Sequence, residues 1–148
     1  MRVVQCPAEA APAPLERSVF LAGGISNCPD WQSQLLESLR GTDWLVLNPR
    51  RVDFDAGNPA MARAQIEWEH RHLRLATAIA FWFPPQTLCP ITLYELGAWS
   101  MTNKPLFVGV DPGYGRRVDV LEQTRLARPD VRVVDSLEGL ARQLGGSV

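Results

Sequence analysis

The chain reads as an α/β protein of the flavodoxin-like (Rossmann-like) type, a three-layer sandwich around a five-stranded parallel sheet of order 2-1-3-4-5. Three observations predict this. Short β-type runs alternate with helical periods along most of the 148 residues, and such alternation implies a parallel sheet covered by helices on both faces. The run "AIAFWF" (78–83) is almost continuously apolar, as a strand buried on both sides must be. Five strand-like runs follow residue 17, the number that fits the 2-1-3-4-5 order.

The elements follow in sequence. "SVFLAG" (18–23) is a strand that ends in glycine. "DWQSQLLESLR" (30–40) carries Trp31, Leu35 and Leu39 on one helical face and stops at Gly41. "WLVLNP" (44–49) is the second strand. A long helix follows over 59–77, with a proline near its start. After the strand 78–83 come a helix over 92–101, a strand "PLFVGV" (105–110) and a helix over 116–127. "VRVV" (131–134) is the fifth strand, and 136–144 closes as a helix. Asp135 and Glu138 have capping-box spacing for that last helix. Residues 1–17, "MRVVQCPAEAAPAPLER", are rich in alanine and proline and read as a flexible N-terminal arm. Residues 18–148 read as a single domain.

Composition narrows the function classes. A formal net charge of −1 provides no basic field for nucleic acid. No apolar stretch approaches the ~20 residues that span a bilayer, and the N-terminus lacks the apolar core of a secretory signal. Cys6, Cys28 and Cys89 are scattered, with no CxxC, and two histidines complete no zinc pattern. No metal or cofactor is called for, and a reduced, cytoplasmic setting is the default.

In a parallel sheet of this order, ligands bind beyond the carboxyl ends of the strands, beside the first one. The loop "LAGGISN" there lets backbone approach a ligand at Gly23 and Gly24, with Ile25 and Ser26 leading toward the next helix. It reads equally as a tight strand-to-helix turn. Glu69 falls within the stripe Ala62, Ile66, Leu73 and Ala76 of its helix. A carboxylate there either pairs with an arginine such as Arg50 or Arg51, or has its pKa raised by desolvation. Glu95 lies in "ITLYELGAWS" (91–100). It either closes a capping box with Thr92, or, if Pro90 opens the helix, faces the crevice as a stabilised anion able to act as a nucleophile. One desolvated acid and one ionised acid are what cleavage at an acetal-like carbon requires.

Other groups carry weaker signals. Cys89 is a nucleophile or a buried thiol. Trp82 and Phe83 wall a base pocket or fill the core. Arg50, Arg51 and Arg116 bind phosphate or pair with surface acids. Tyr114, between glycines, could serve as a lid.

From about 18 to 144 the chain resembles the nucleoside 2-deoxyribosyltransferase family, in its 2-deoxyribosyltransferase-like branch, related to 2′-deoxynucleoside 5′-phosphate N-hydrolases. The resemblance rests on "VFLAGGIS", the acid-bearing helix before "AIAFWFP", "YELGAWS" and "NKPLFVGV". It implies that Glu95 is the nucleophile of a covalent deoxyribosyl-enzyme ester and that Glu69 takes part in proton transfer at the base. It also implies that the glycine loop lies against sugar and base, or against phosphate in the nucleotide hydrolases. Members are homo-oligomers, so a dimer or larger is implied, with a nucleoside or nucleotide as the small-molecule partner. The chain departs from the family pattern in three places. Cys89 stands where transferases often carry an acid and nucleotide hydrolases a serine. Thr92, Leu93 and Tyr94 replace small residues, and Tyr94 would then face the substrate. Phe20 and Leu21 stand where a tyrosine is usual. The expected activity is cleavage or transfer at an N-glycosidic bond. The alternatives are an NAD-type glycohydrolase and a non-catalytic nucleotide-binding module.

Overall fold

The computed structural model describes residues 1–55 and 57–146, and from Ser18 onward its strands and helices alternate. In chain order they are β1 (Arg2–Gln5), β2 (Ser18–Gly23), α1 (Trp31–Ser38), β3 (Leu45–Asn48), α2 (Pro59–Leu75), β4 (Ala78–Phe83), α3 (Pro90–Ser100), β5 (Leu106–Val110), α4 (Arg117–Ala127), β6 (Val133–Val134) and α5 (Leu137–Gly145). All pairings are parallel, and the sheet order is β1-β3-β2-β4-β5-β6.

From β2 onward this is the expected 2-1-3-4-5 arrangement. The strand count is corrected from five to six. Part of the segment read as a loose arm adds a strand beside β3, with Arg2 opposite Leu45 and Gln5 opposite Asn48. The next stretch is also fastened. Cys6 is buried, the Trp68 indole N–H donates to the Ala8 carbonyl at 2.8 Å, and the Ala10 N–H donates to His72 Nε2 at 3.2 Å.

Alternation along the strands sorts side chains into two cores. Val19, Leu21, Ala78 and Ala80 pack with Trp31, Leu35 and Leu39 of the α1 region and with Leu140 and Leu144 of α5. Phe20, Ala22, Ile79 and Phe81 pack with Trp68 and Leu73 of α2, Leu96 of α3 and Val120 of α4. Leu35 and Leu140 are fully buried, which is worth roughly 2 kcal/mol each. β4 is buried at all six positions, as its apolar run required.

Local chemistry sets the helix ends. Asn58 accepts from the Ala60 and Met61 N–H groups ahead of α2, with Pro59 in the first turn. At the other end of α2, Lys104 Nζ donates to the carbonyls of Leu73 (2.6 Å), Arg74 (3.0 Å) and Ala76 (2.6 Å), a cation at the negative pole of the helix. Pro90 opens α3, so the helix starts before Thr92. The N-cap of α5 is Ser136, which accepts from the Gly139 N–H, in place of the expected Asp135–Glu138 box.

The chain leaves β2 for β3 on one side and then passes through α2 to β4 on the other, so the switch point lies between β2 and β4. Among the described residues no helix is long and apolar enough to cross a membrane.

Candidate active site

A cavity of about 390 Å³ lies at the carboxyl end of β2, between α2 and α3. Its size suits a small-molecule ligand. Its floor is Phe20, Ala22, Gly23 and Gly24, continuing into Ile25 and Ser26. The glycines are dictated by packing. A Cβ on Gly23 would meet the Trp31 ring and come within 2.6 Å of the Trp82 carbonyl oxygen. One on Gly24 would come within 3.0 Å of Cys89 Sγ and 2.9 Å of Thr87 Cγ2. The loop after β2 is therefore pressed against residues 87–89, and the Trp31 indole N–H holds the Gly24 carbonyl at 2.8 Å.

One wall comes from α2. Ala62, Gln65, Ile66 and Glu69 all line the cavity, the i, i+3, i+4, i+7 positions of one helical face. The stripe expected over Ala62, Ile66, Glu69, Leu73 and Ala76 is thus split: its first half faces the cavity, while Leu73 and Ala76 enter the core. The Gln65 amide donates to Glu69 Oε1 at 2.8 Å and to the Pro49 carbonyl at 2.8 Å, and its oxygen accepts from the Cys6 thiol at 3.1 Å.

The opposite wall comes from α3. Because Pro90 sets its start, Thr92 and Glu95 lie one turn apart on the cavity side. Cys89, just before the helix, holds a left-handed backbone at φ 47° and lines the cavity. That conformation is costly for a residue with a side chain and clusters at ligand sites. The capping box between Thr92 and Glu95 does not form, and Thr92 is buried.

Both acids therefore meet in one cavity. Among the described residues neither has an ion-pair partner; Glu69 accepts only the Gln65 bond, and Glu95 accepts none. Burial raises the Glu69 pKa against the opposing pull of the Gln65 hydrogen bond. Burial, with the negative charge of Glu69 added, pushes Glu95 up to about 8. This corrects the expectation of one desolvated acid and one anion held by helix N–H groups. Glu95 stands beyond the first turn of α3, where the terminal dipole has faded, so desolvation dominates both groups.

The remaining predicted residues divide. Arg51 lines the cavity, and its guanidinium is held by Asp53 through two bonds of 3.1 Å. Arg50 does not line it. It bonds Gln32 Oε1 at 2.9 Å and the Pro29 carbonyl at 3.1 Å, and pairs with Asp30 at 3.3 Å. Phe83 is fully buried, its ring 5.2 Å from that of Tyr114, because it shares the strand face of Ile79 and Phe81. Tyr94 points outward at 78% exposure, since a helix beginning at Pro90 turns it off the cavity side. Tyr114 is no lid: it is buried, and its hydroxyl donates to the Leu88 carbonyl at 2.8 Å. Arg116 pairs with Asp119 on the surface. Sequence reasoning missed Gln65 and Phe54. Gln65 could have been found from its i, i+4 spacing to Glu69.

Among the described residues no group of three or more His, Cys, Asp or Glu could hold a metal ion. Residues 16–114 match the family model described as nucleoside 2-deoxyribosyltransferase like. No curated protein matches the chain.

Proposed function

We propose, since the chain belongs to the nucleoside 2-deoxyribosyltransferase-like family, that it cleaves or transfers at the N-glycosidic bond of a nucleoside or nucleotide, with Glu95 as nucleophile and Glu69 as proton donor. One observation carries this reading: two carboxyl groups from separate helices share one largely apolar cavity, and no cation neutralises either of them among the described residues.

The chemistry follows from that pairing. Two acids held close in a desolvated site do not ionise together, so they share one proton over a range of pH. The reactive arrangement has that proton on Glu69 and the charge on Glu95. Positive charge developing at C1′ favours ionised Glu95, so the bound sugar draws the proton toward Glu69. A Glu95 oxygen then bonds to C1′ as the C1′–N bond breaks. The bonding pair leaves with the base, and Glu69 supplies the proton that neutralises it. A water molecule or a second base then attacks C1′, passing a proton to the Glu69 carboxylate as the ester bond from C1′ to the Glu95 oxygen breaks. The apolar lining keeps bulk water from the charged groups, which strengthens each electrostatic contact.

The test is release of free base from deoxynucleosides, deoxynucleotides and NAD, measured side by side by chromatography, with intact-mass detection of a sugar ester on the protein. Glu95→Ala is expected to abolish both signals. Equal base release by variant and wild type would overturn the assignment.

A further inference from the structure

Glu69 and Glu95 give the cavity its negative character, and the only cation among its described lining residues is Arg51. That guanidinium is engaged: Nε and Nη2 each donate to a different oxygen of Asp53, both at 3.1 Å, and the Arg51 side chain is only 9% exposed. The second arginine at this edge, Arg50, pairs with Asp30. Asp30 is also the N-cap of α1, accepting from the Ser33 N–H at 3.0 Å. The helix end that follows the glycine loop is thus capped by a carboxylate of the chain itself, and neither Asp30 nor Arg50 lines the cavity.

We propose that Asp53 is a specificity-determining residue, which neutralises Arg51 and so makes the cavity select an unphosphorylated nucleoside over its 5′-phosphate. The inference rests on the reading of the cavity as a nucleoside site. A phosphomonoester brings nearly two negative charges at neutral pH. It would enter a site that holds two carboxyl groups, with the guanidinium of its lining already matched to an acid. Arg51 spends two of its five N–H donors, and its charge, on Asp53, so a phosphate gains a full cation there only by exchange with that carboxylate. A nucleoside requires no such exchange. Its sugar and base meet the apolar lining and the loop backbone instead.

The experiment compares each deoxynucleoside with its own 5′-monophosphate in the wild-type protein, at one pH and ionic strength, as kcat/KM for base release. At least a tenfold preference for the nucleoside is expected. Equal or better use of the monophosphate overturns the proposal. Asp53→Asn, which frees Arg51, is expected to narrow the ratio by raising turnover of the monophosphate. An unchanged ratio in that variant overturns the role given to Asp53, whatever the change in its stability. If no substrate is cleaved, the glycosidic reading fails by itself. Calorimetric titration with the same nucleoside and monophosphate pairs then decides the inference. Binding of the nucleoside in preference to the monophosphate retains it, and preferential binding of the monophosphate, or binding of neither, overturns it.

Discussion

Glu95 of α3 faces Glu69 of α2 across one cavity, and the negative charge of Glu69 helps push Glu95 up to about 8. Two carboxyl groups coupled in this way titrate as a pair, and under the proposed mechanism the singly protonated state is the one that combines a nucleophile with an acid. A bell-shaped pH profile of kcat/KM is expected, with its alkaline limb near pH 8, where the last shared proton leaves. Glu69→Gln removes the proton donor and the like charge together. It should lower kcat/KM by about 10²–10⁴, abolish the alkaline limb and leave a single acid limb at a pH below 8. An unchanged alkaline limb in Glu69→Gln would show that the two acids do not share a proton.

The same burial has a cost in stability. A carboxyl whose pKa is raised on folding, from 4.5 to about 8 for Glu95, binds more protons folded than unfolded across that window. Stability is full below pH 4.5 and falls as pH rises toward 8. Glu95→Gln removes this dependence. The variant should gain on the order of 2–4 kcal/mol over wild type at pH 8 and little at pH 4.5. Urea unfolding at the two pH values measures the difference. A gain of the same size at both would mean that the substitution acts through packing and not through charge.

The sequence exposed those features that a single residue type or a strict period imposes. The all-apolar run 78–83 could only be a central strand, and β4 is one. Glu69 interrupts an apolar stripe, and such an interruption is visible without coordinates. Pro90 fixes the start of α3, so the crevice-facing option for Glu95 was readable beside the capping box that it displaced. What escaped depends on contacts between distant segments. β1 has four residues, mostly exposed, and exists only because β3 offers an edge. Phe83 and Trp82 both end an apolar strand, and only the sheet decides which face each takes. The pairing of Arg50 with Asp30 joins residues twenty positions apart. The Arg51–Asp53 pair, two positions apart, was within reach of the sequence.

Gln65 is a positioning residue for Glu69. Its amide N–H groups hold Glu69 Oε1 and the Pro49 carbonyl, and its oxygen takes the Cys6 thiol. The bond to Glu69 favours the anion, against desolvation. Gln65→Leu keeps the volume and removes all three bonds, at a stability cost of about 1–3 kcal/mol. The readout that separates positioning from mere structure is the pH profile. With the N–H donor gone, the Glu69 pKa rises, and the alkaline limb of kcat/KM should move to higher pH. A less stable variant with its alkaline limb in place would reduce Gln65 to a structural role.

The N-terminal segment bears on the site through that same glutamine. β1 covers the β3 edge, Cys6 reaches Gln65, and Ala8 and Ala10 hold the Trp68 and His72 side chains of α2. Trp68 and His72 stack with ring centroids 3.8 Å apart, so the segment fastens both members of one buried pair. Removing residues 1–10 strips these contacts and exposes a parallel edge strand, which invites pairing between molecules. The loss expected is on the order of 3 kcal/mol, a drop in melting temperature of roughly 6–12 °C for a chain of this size, with a fall in kcat because the Gln65–Glu69 pair has lost its support. Calorimetry, light scattering and base release on the truncated protein measure the three effects. A truncated chain that melts, stays monodisperse and turns over like the full one would mean that β1 is dispensable to both fold and site.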